Sequence, residues 1–410
     1  MLNTSSSGSE PGFPGPIPPR GAADAPQQRL RRALLQAIGR LYGRPATSAA
    51  PRSLLLIRPD HLGDLLFLTP ALHSLRRALP EARITLLVGP WSQAIVQGNP
   101  DLDAVLTCPF PGFTRRAKTS LWAPYRLLAA QARALRNRGY DAAVILRFDH
   151  WWGAWLTAAA GIPRRIGYDR PETRPFLTHA LPYTSGRHEV EQNATLLGAL
   201  VGGLAGPLGP TRYRVTAEDR AWAAAWLEGA GHAATDRLVA IHPGAGAAVK
   251  QWPISAWAAV ANALAQQHGV RIVLTGSAGE RDLTTATAAQ LTRPALDAAG
   301  RTTLGQLAAL YERCAAVLGA DSGPLHLAVA VAAPTVHLYG PVAATEFGPW
   351  GDPAEHVVLT TPWACAPCHR LDWPAASLAQ HACIAAIKPE AVLAAVARLL
   401  ADDRNQRSIL

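Results

Sequence analysis

Short apolar runs alternate with longer stretches of helical apolar spacing along most of this chain. In the first half, the apolar runs predict strands at 53–57, 83–88, 104–106 and 141–146. Between and after them, helical spacing predicts helices at 65–79 and 121–138. This alternation predicts an α/β fold with a parallel sheet, and such sheets bind ligands at the carboxyl ends of their strands.

A second set of strands and helices follows residue 216. Its predicted strands are 238–242, 271–276, 316–320 and 335–339. Its predicted helices are 217–229, 255–268, one from about 280, 304–313 and 324–332, and a last helix runs from Pro389 to about Ala401. Two α/β halves joined by a linker create a cleft, which is the place expected for a binding site.

These patterns divide the chain into five parts. The N-terminal part, 1–50, is expected to hold a disordered tail and one helix, and 51–205 to form the first α/β domain. The segment 206–216, GPLGPTRYRVT, is the predicted linker. The second domain is expected at 217–388, with a C-terminal helix and tail at 389–410.

The N-terminal part has two different compositions. Residues 1–26 are rich in Ser, Gly and Pro, which is typical of disorder. Residues 27–44 have apolar side chains at helical spacing and arginines on the remaining faces. Such a basic amphipathic helix either lies on an anionic membrane surface or docks on its own domain, and the sequence leaves both interpretations open.

The overall composition is that of a globular protein. The chain has 410 residues, 49% of them hydrophobic and 17% charged, which is enough for two domains with their own cores. No uncharged apolar run reaches the roughly 18 residues that a membrane-spanning helix needs. The N-terminus lacks the pattern of a signal peptide. We therefore expect a cytoplasmic protein.

The positive charge lies in the first half of the chain. The net charge is +10 overall, with +4 in residues 1–50, +7 in 51–205 and −1 in 206–410. This distribution indicates either an anionic partner of the first half or a general adaptation to solubility. Only three of the 39 basic residues are lysines, so a lysine inside a motif, such as Lys250, is of particular interest.

The first candidate site follows the first strand. RPDHLGD (58–64) leads into a helix N-terminus, where Gly63 permits close approach of a ligand and the helix dipole favours a negative group. Asp64 is interpreted either as a cap of this helix or as a catalytic carboxylate that faces the cleft. Arg58 and Asp60 are expected to pair and to order the loop.

A glycine-rich turn follows the first strand of the second half. In HPGAGAAVKQWP (242–253), Gly244 lies in a turn that is suited to hold phosphate through backbone N–H groups, and Lys250 supplies a countercharge. His242 begins the segment at the strand end. The segment is not a Walker loop, because G-x-x-x-x-G-K-[ST] is absent.

Two more loops of the second half have the same strand-then-glycine form. They are LTGSAGERD (274–282) and GADSGPLHLA (319–328), and their polar residues are Ser277, Glu280, Asp321 and Ser322. Asp321 and Ser322 alone also fit a plain helix cap. Three glycine-bearing loops at strand ends of one domain together predict a pocket for a nucleotide diphosphate.

The three motifs together resemble glycosyltransferase family 9, the heptosyltransferase family. They are R-x-D-x-x-G-D, H-P-G-x-x-x-x-x-K-x-W-P and D-S-G-x-x-H-L-A, and they occur in the family's order over residues 53–400. The resemblance implies the α/β GT-B architecture, in which two Rossmann-like domains face each other across a central cleft. It also implies that the first domain binds the acceptor and the second binds the nucleotide sugar.

The resemblance also assigns site residues. The family's catalytic aspartate matches Asp64, and its phosphate-binding lysine matches Lys250. The substrate-binding residues implied in this way, together with the loop residues above, are Gly63, His242, Gly244, Lys250, Ser277, Glu280, Asp321, Ser322, Gly323 and His326. Within these motifs the chain departs from the family's usual form at Pro324, where a bulkier residue is common.

The implied activity is an inverting glycosyl transfer in lipopolysaccharide biosynthesis. Asp64 would take the proton from the acceptor hydroxyl, and Lys250 with backbone N–H groups near Gly323 would stabilise the leaving diphosphate without a cofactor. ADP-heptose is the expected donor. An anionic envelope glycolipid is the expected acceptor, with peripheral contact at the cytoplasmic face of the inner membrane. The alternatives are another nucleotide-sugar donor, a sugar-nucleotide epimerase or a non-catalytic binder, whereas a nucleic-acid partner is not expected.

Three cysteines near the end of the chain offer a further interpretation. Cys365, Cys368 and Cys383 include a C-x-x-C motif, and with neighbouring histidines such a cluster can bind zinc. The resemblance suggests a fourth cysteine, which this chain lacks. We therefore expect free thiols and no metal, with a structural metal site as the alternative.

Overall fold

The computed structural model describes residues 26–43, 50–114, 120–233, 236–361, 363–381 and 383–407. The tail expected at 1–26 lies outside the described residues except for its last position, and the two arginines and the lysine of 115–119 lie outside them as well. Among the described residues, no helix is long and apolar enough to cross a membrane.

The first domain contains a six-stranded parallel sheet. Its strands are β1 (Ser53–Arg58), β2 (Arg83–Val88), β3 (Ala104–Thr107), β4 (Ala142–Ile145), β5 (Arg164–Tyr168) and β6 (His179–Leu181). They are ordered β3-β2-β1-β4-β5-β6. The helices of this half are α1 (Pro26–Gly39), α2 (Leu62–Ala78), α3 (Gln93–Val96), α4 (Ala123–Arg136), α5 (Trp151–Ala159) and α6 (Glu189–Gly198).

The second domain repeats this arrangement. Its strands are β7 (Leu238–His242), β8 (Arg271–Leu274), β9 (Leu296–Asp297), β10 (Cys314–Ala320), β11 (Thr335–Tyr339) and β12 (His356–Thr360). They are ordered β12-β11-β10-β7-β8-β9, again all parallel. The helices are α7 (Ala217–Gly229), α8 (Ile254–His268), α9 (Arg281–Ala288), α10 (Leu304–Tyr311), α11 (Gly323–Ala330), α12 (Ala344–Phe347) and α13 (Pro389–Arg407).

Both sheets have the strand order of a dinucleotide-binding domain. In each sheet the order reverses between the first and the fourth strand, that is, between β1 and β4 and between β7 and β10. The expected fold class, two Rossmann-like α/β domains, is confirmed. Ligands of such sheets bind where the strand order reverses, so the loops after these four strands are the expected binding sites.

The segment 147–190 is more regular than the sequence suggested. The sequence pattern predicted no helix or strand within it, but it contains α5, β5 and β6. β5 begins with two arginines, and the second, Arg165, is buried because its guanidinium donates to the carbonyl oxygens of Phe176 and Ile162 at 2.6 Å each. A search for apolar runs does not find such a strand, because it begins with charged residues. Burial of the charge is possible here because backbone carbonyl groups accept its hydrogen bonds.

The basic N-terminal helix docks on its own domain. Leu35 of α1 is buried against α5 and the segment that contains Phe176. The indole Nε1 of Trp155 donates a hydrogen bond of 3.0 Å to the Tyr42 hydroxyl, and Arg32 pairs with Glu172 at 2.6 Å. One face of the helix is therefore used for packing, while other faces remain exposed.

The two domains contact each other directly. Helix α2 of the first domain packs against α11 of the second. Residues 204–216 contain neither helix nor strand and bond to both sides: Arg212 N–H donates to Thr69 Oγ1 at 3.0 Å, and Tyr213 N–H donates to the Ala330 carbonyl at 3.0 Å. Each of these two helices follows a strand at which the strand order of its sheet reverses: α2 follows β1, and α11 follows β10.

Candidate active site

Arg58, the last residue of β1, organises the loop of the first domain. Its side chain is buried and donates to the Leu146 carbonyl at 3.1 Å, so it joins the ends of β1 and β4. It also binds three carboxylates, Asp60 and Glu189 at 2.7 Å each and Asp64 at 3.4 Å. A planar guanidinium has enough donors in a fixed geometry to hold this set.

Asp60 is a structural anion of this loop. Its carboxylate pairs with Arg58 and Arg147, and its carbonyl oxygen accepts hydrogen bonds from Trp91 Nε1 at 3.2 Å and Ser92 Oγ at 2.6 Å. Burial alone would raise the pKa of Asp60, but the two guanidinium groups hold it below its usual value. Asp60 is therefore ionised and committed to ordering the loop.

Asp64 differs from its neighbour in being weakly held. It lies in the first turn of α2, where its carboxylate accepts from the His61 N–H and from Arg58, both at 3.4 Å. Its side chain is 32% exposed. Burial, followed by the negative charge of Asp60, raises the pKa of Asp64 to about 6, although Arg58 opposes this shift. Asp64 thus completes a capping box with His61, as one of the two interpretations expected, but the bond is long and leaves most of the carboxylate available.

The second domain closes its own switch point with a lysine. Lys250, after β7, donates to Asp321, after β10, with an Nζ–Oδ2 distance of 2.7 Å. His326 Nε2 lies 3.5 Å from the other carboxylate oxygen of Asp321. Burial would raise the pKa of Asp321, but His326 and Lys250 together lower it to about 2. An ammonium has three donors, so Lys250 retains donors for a phosphate while it binds Asp321.

The N-terminus of α11 presents unsatisfied polar groups. Ser322 is its N-cap residue, yet the side chain makes no cap hydrogen bond. Ser322 Oγ and His326 Nδ1 are buried and have no hydrogen-bond partner within the part of the chain that the structure describes. Buried polar atoms usually have partners, and these two lie at a helix end that favours anions.

The glycine turn after β7 is closely packed by Glu280. A Cβ atom on Gly244 would lie 1.9 Å from Glu280 Oε1, so a larger residue there would displace the carboxylate of Glu280. Glu280 Oε2 accepts from the N–H and the hydroxyl of Ser277, both at 2.7 Å. Behind the turn, His242 Nδ1 lies 3.1 Å from Thr275 Oγ1, and burial lowers the pKa of His242. The residues of the loops after β7 and β8 are therefore connected by direct contacts and hydrogen bonds.

The loops of the two domains meet through two glycines. A Cβ on Gly63 would lie 3.0 Å from His326 Cδ2, and a Cβ on Gly323 would lie 2.9 Å from Leu62 Cβ. The rings of Phe67 and His326 are also in contact, with centroids 4.6 Å apart. The loop that carries Asp64 thus lies against the helix end that follows Asp321, and the structure brings the two motifs into contact between the domains.

Several residues of the cleft were missed by sequence reasoning. Arg147, Glu189 and Asn193 complete the network around Arg58 and Asp60. Arg147 directly follows the apolar run of β4, so the strand-end rule that selected 58–64 also applied to it. Glu189 and Asn193 lie on α6, and nothing in their local sequence shows that this helix packs along α2.

The cysteine cluster forms no metal site in the structure. Cys365 and Cys368 are exposed, Cys383 is buried, and all three are free. Among the residues that can be described, no group of three or more His, Cys, Asp or Glu side chains is arranged to hold a metal ion. The alternative of a zinc site built from these cysteines therefore has no support in the geometry.

A protein-family model and curated sequences match much of this chain. Residues 128–374 match the model of "Glycosyltransferase family 9 (heptosyltransferase)". Lipopolysaccharide heptosyltransferase 3 of Escherichia coli K12 is 28% identical over 301 residues, which cover 70% of this chain and 82% of that protein.

Two solved structures have the same two-domain fold. The family 9 glycosyltransferase of Veillonella parvula superposes with a TM-score of 0.76 at 24% identity, covering 87% of this chain and all of that one. ADP-heptose LPS heptosyltransferase II of E. coli superposes with a TM-score of 0.68 at 22% identity, covering 86% and 99% of the two chains.

Proposed function

Since this chain belongs to glycosyltransferase family 9, we propose that it transfers heptose from ADP-heptose onto a lipopolysaccharide core or a related envelope glycolipid. The observation that carries the proposal is the contact between the two motif loops, with Gly63 against His326. This contact puts a carboxylate with a raised pKa beside a helix end suited to a diphosphate. The names of the similar proteins support this donor and this acceptor class.

In this proposal the second domain binds the donor. The diphosphate lies at the N-terminus of α11, where Ser322 Oγ, His326 Nδ1 and the first N–H groups of the helix donate to it. Lys250 shares its ammonium between Asp321 and the phosphate oxygens. Glu280, with Ser277, lines the turn at Gly244 and accepts hydroxyl groups of the nucleoside.

Asp64 is the proposed general base. Its carboxylate removes the proton from the acceptor hydroxyl while the oxygen forms a bond to the anomeric carbon and the bond from that carbon to the diphosphate breaks. Because attack and departure occur on opposite faces, the configuration inverts. The charge that develops on the diphosphate is met by Lys250 and the helix end, so the proposal requires no metal or other cofactor.

The first domain is the proposed acceptor site. The end of β4 and the region after β5 place two arginines beside Phe148: the guanidinium of Arg147 lies 5.8 Å and that of Arg170 5.2 Å from the ring centroid. An anionic glycolipid fits the net positive charge of residues 51–205. Its lipid would bring the enzyme to the cytoplasmic face of the inner membrane, and this location is part of the proposal.

A nucleotide panel tests the donor assignment. The melting temperature of the purified protein is measured with ADP, UDP, GDP and CMP, and then with ADP-heptose. We expect a shift with ADP and ADP-heptose alone. A shift with UDP or GDP instead would replace the donor by another nucleotide sugar. The absence of any shift would overturn the proposal and favour a non-catalytic role.

A further inference from the structure

The exposed hydrophobic side chains of this protein are concentrated on one face. Seven large hydrophobic side chains are exposed among the described residues, and six of them lie on or next to α1 and at the start of α4. These six are between 44% and 86% exposed, and they are Leu30, Leu34, Leu41, Leu121, Trp122 and Tyr125. Isolated exposed hydrophobic residues are ordinary, but a concentration of this kind marks an interaction site.

The two helices form one continuous surface through α5. The ring of Tyr125 contacts that of Trp155 with centroids 5.9 Å apart, and the Trp155 indole donates to the Tyr42 hydroxyl beside Leu41. The ring centroids of Trp122 and Tyr125 are in turn 6.2 Å apart. We call the six exposed residues of α1 and α4, together with the tryptophans of α5 beneath them, the apolar platform.

The two segments that supply the exposed residues of the apolar platform carry only positive charge, although Arg32 pairs with Glu172 of a neighbouring segment. Residues 26–43 contain no Asp or Glu, and neither do residues 104–140. Exposed arginines accompany the hydrophobic residues on both helices, with Arg29, Arg31 and Arg40 from the first and Arg126 from the second. A protein partner would have to bury these arginines, whereas lipid phosphates pair with them at the depth where Trp and Tyr rings prefer to lie.

The apolar platform lies on the cleft side of the first domain. Helix α4 crosses back between two parallel strands, so Leu121 and Trp122 at its start lie at the carboxyl edge of the sheet. Asp64 follows β1 at the same edge. The guanidinium of Arg31 lies 4.6 Å above the Trp151 ring, at the first residue of α5 after β4. A surface bound here would bring its lipids to the cleft.

We propose that the apolar platform binds the surface of an anionic lipid bilayer, with the leucines and Trp122 inserted among the headgroups and the arginines paired with lipid phosphates. This proposal specifies which surface makes the membrane contact included in the proposed function. It rests on the proposed function only in that a glycolipid acceptor explains why the enzyme would bind lipid. The observation behind it is that exposed hydrophobic side chains and exposed arginines occur together on this surface. It extends the contact from one helix, as the sequence suggested, to a surface shared by α1 and α4.

Vesicle sedimentation of the full chain tests this proposal. Vesicles of phosphatidylcholine alone are compared with vesicles containing phosphatidylglycerol, at low and high salt. We expect binding to the anionic vesicles that weakens with salt. The double variant Leu121→Ser/Trp122→Ser and the double variant Leu34→Gln/Leu41→Gln should each weaken it about tenfold or more, since binding scales with the apolar area inserted.

The matched control is Leu371→Ser, which removes the seventh exposed hydrophobic residue from the second domain. It should leave vesicle binding within about twofold of wild type. Equal binding by all variants, or no preference for anionic vesicles, would overturn the proposal. A stable dimer that the α4 variant dissociates in the absence of vesicles would overturn it in favour of a second copy as the occupant. The ADP melting shift is measured on the same variants, so a failure of the proposed function is seen separately.

Discussion

Three buried or partly buried aspartates of the cleft have different surroundings and therefore different tasks. Asp60 is held by two arginines, and Asp321 by a lysine and a histidine, so the pKa of each carboxyl lies below its usual value. Within the described parts of the chain, Asp64 has two hydrogen bonds, both long, and its pKa is raised. A carboxylate that is poorly satisfied and titrates near neutral pH is the one suited to accept a proton.

The pH dependence of the reaction follows from this difference. Only the ionised carboxylate of Asp64 accepts a proton, and its pKa is about 6. We predict that kcat/KM increases with pH through about 6 and becomes constant above about pH 7. The measurement is kcat/KM from pH 5 to 8, with ADP affinity over the same range as the control. A profile that is constant down to pH 5 would contradict the role of Asp64.

A second prediction concerns Lys250. Lys250→Ala leaves the buried Asp321 without its ammonium partner, while His326 stays beside it, so the pKa of Asp321 should rise from about 2. The lowered pKa stabilises the native state above about pH 4, and this contribution is lost as the pH falls through 2. Because His326 accounts for part of this lowered pKa and remains in place, we expect a loss of about 1 kcal/mol in the free energy of unfolding at pH 7.

The same variant should weaken ADP binding about tenfold or more, because a charge-assisted contact to phosphate is removed. Melting curves and ADP titration measure the two effects. Lys388→Ala, at an exposed lysine of the same domain, is the matched control and should leave both unchanged. Unchanged ADP affinity in Lys250→Ala would remove this lysine from the phosphate site.

At the scale of the elements, the site depends on the close approach of two helix ends. Helices α2 and α11 begin at the switch points of different sheets and contact each other through their first turns. Gly63 and Gly323 permit this approach, since an added Cβ would lie 3.0 Å or less from the opposite domain. The distance between the first turn of α2, which carries Asp64, and the N-terminus of α11 therefore depends on the absence of side chains at these two positions.

Gly323→Ala tests the importance of this approach. The new methyl group would lie 2.9 Å from Leu62 Cβ, so the two helix ends must move apart. A small displacement of reacting groups is costly, and we predict that kcat/KM falls about tenfold to a hundredfold. The control is Gly229→Ala at the end of α7, where the added methyl group contacts nothing within 4 Å.

Both glycine variants should retain a cooperative melting transition, which shows that the activity loss is local. Activity of Gly323→Ala within twofold of the control variant would mean that the site tolerates a wider separation of the domains. The approach of α2 and α11 would then be a packing contact without a role in transfer.

At the scale of the whole molecule, the sequence predicted the class of fold. Apolar runs that are buried on both faces, such as Leu54–Ile57 in β1, have a clear signal, and their glycine-bearing ends indicate where ligands bind. The strands β5 and β6 were missed because β5 starts with charged residues and β6 has only three. Helix α6, which supplies Glu189, was missed as well.

The contacts between the two domains could not be predicted from local sequence patterns. The fit of Gly63 against His326 joins residues that are 263 positions apart in the sequence, and no spacing within either motif encodes it. The pairing of Lys250 with Asp321 is similar, since each residue was selected by its own loop. Sequence patterns identify candidate side chains, whereas the topology of the two sheets decides which of them meet.

The most direct test of the proposed transfer is the activity of Asp64→Asn. The substitution preserves the size of the side chain and its place in the first turn of α2 but removes the base. Transfer from ADP-heptose to a heptose-deficient lipopolysaccharide core is measured beside ADP affinity. We predict that transfer falls about a thousandfold while ADP affinity stays within twofold of wild type. Transfer within tenfold of wild type would contradict the account.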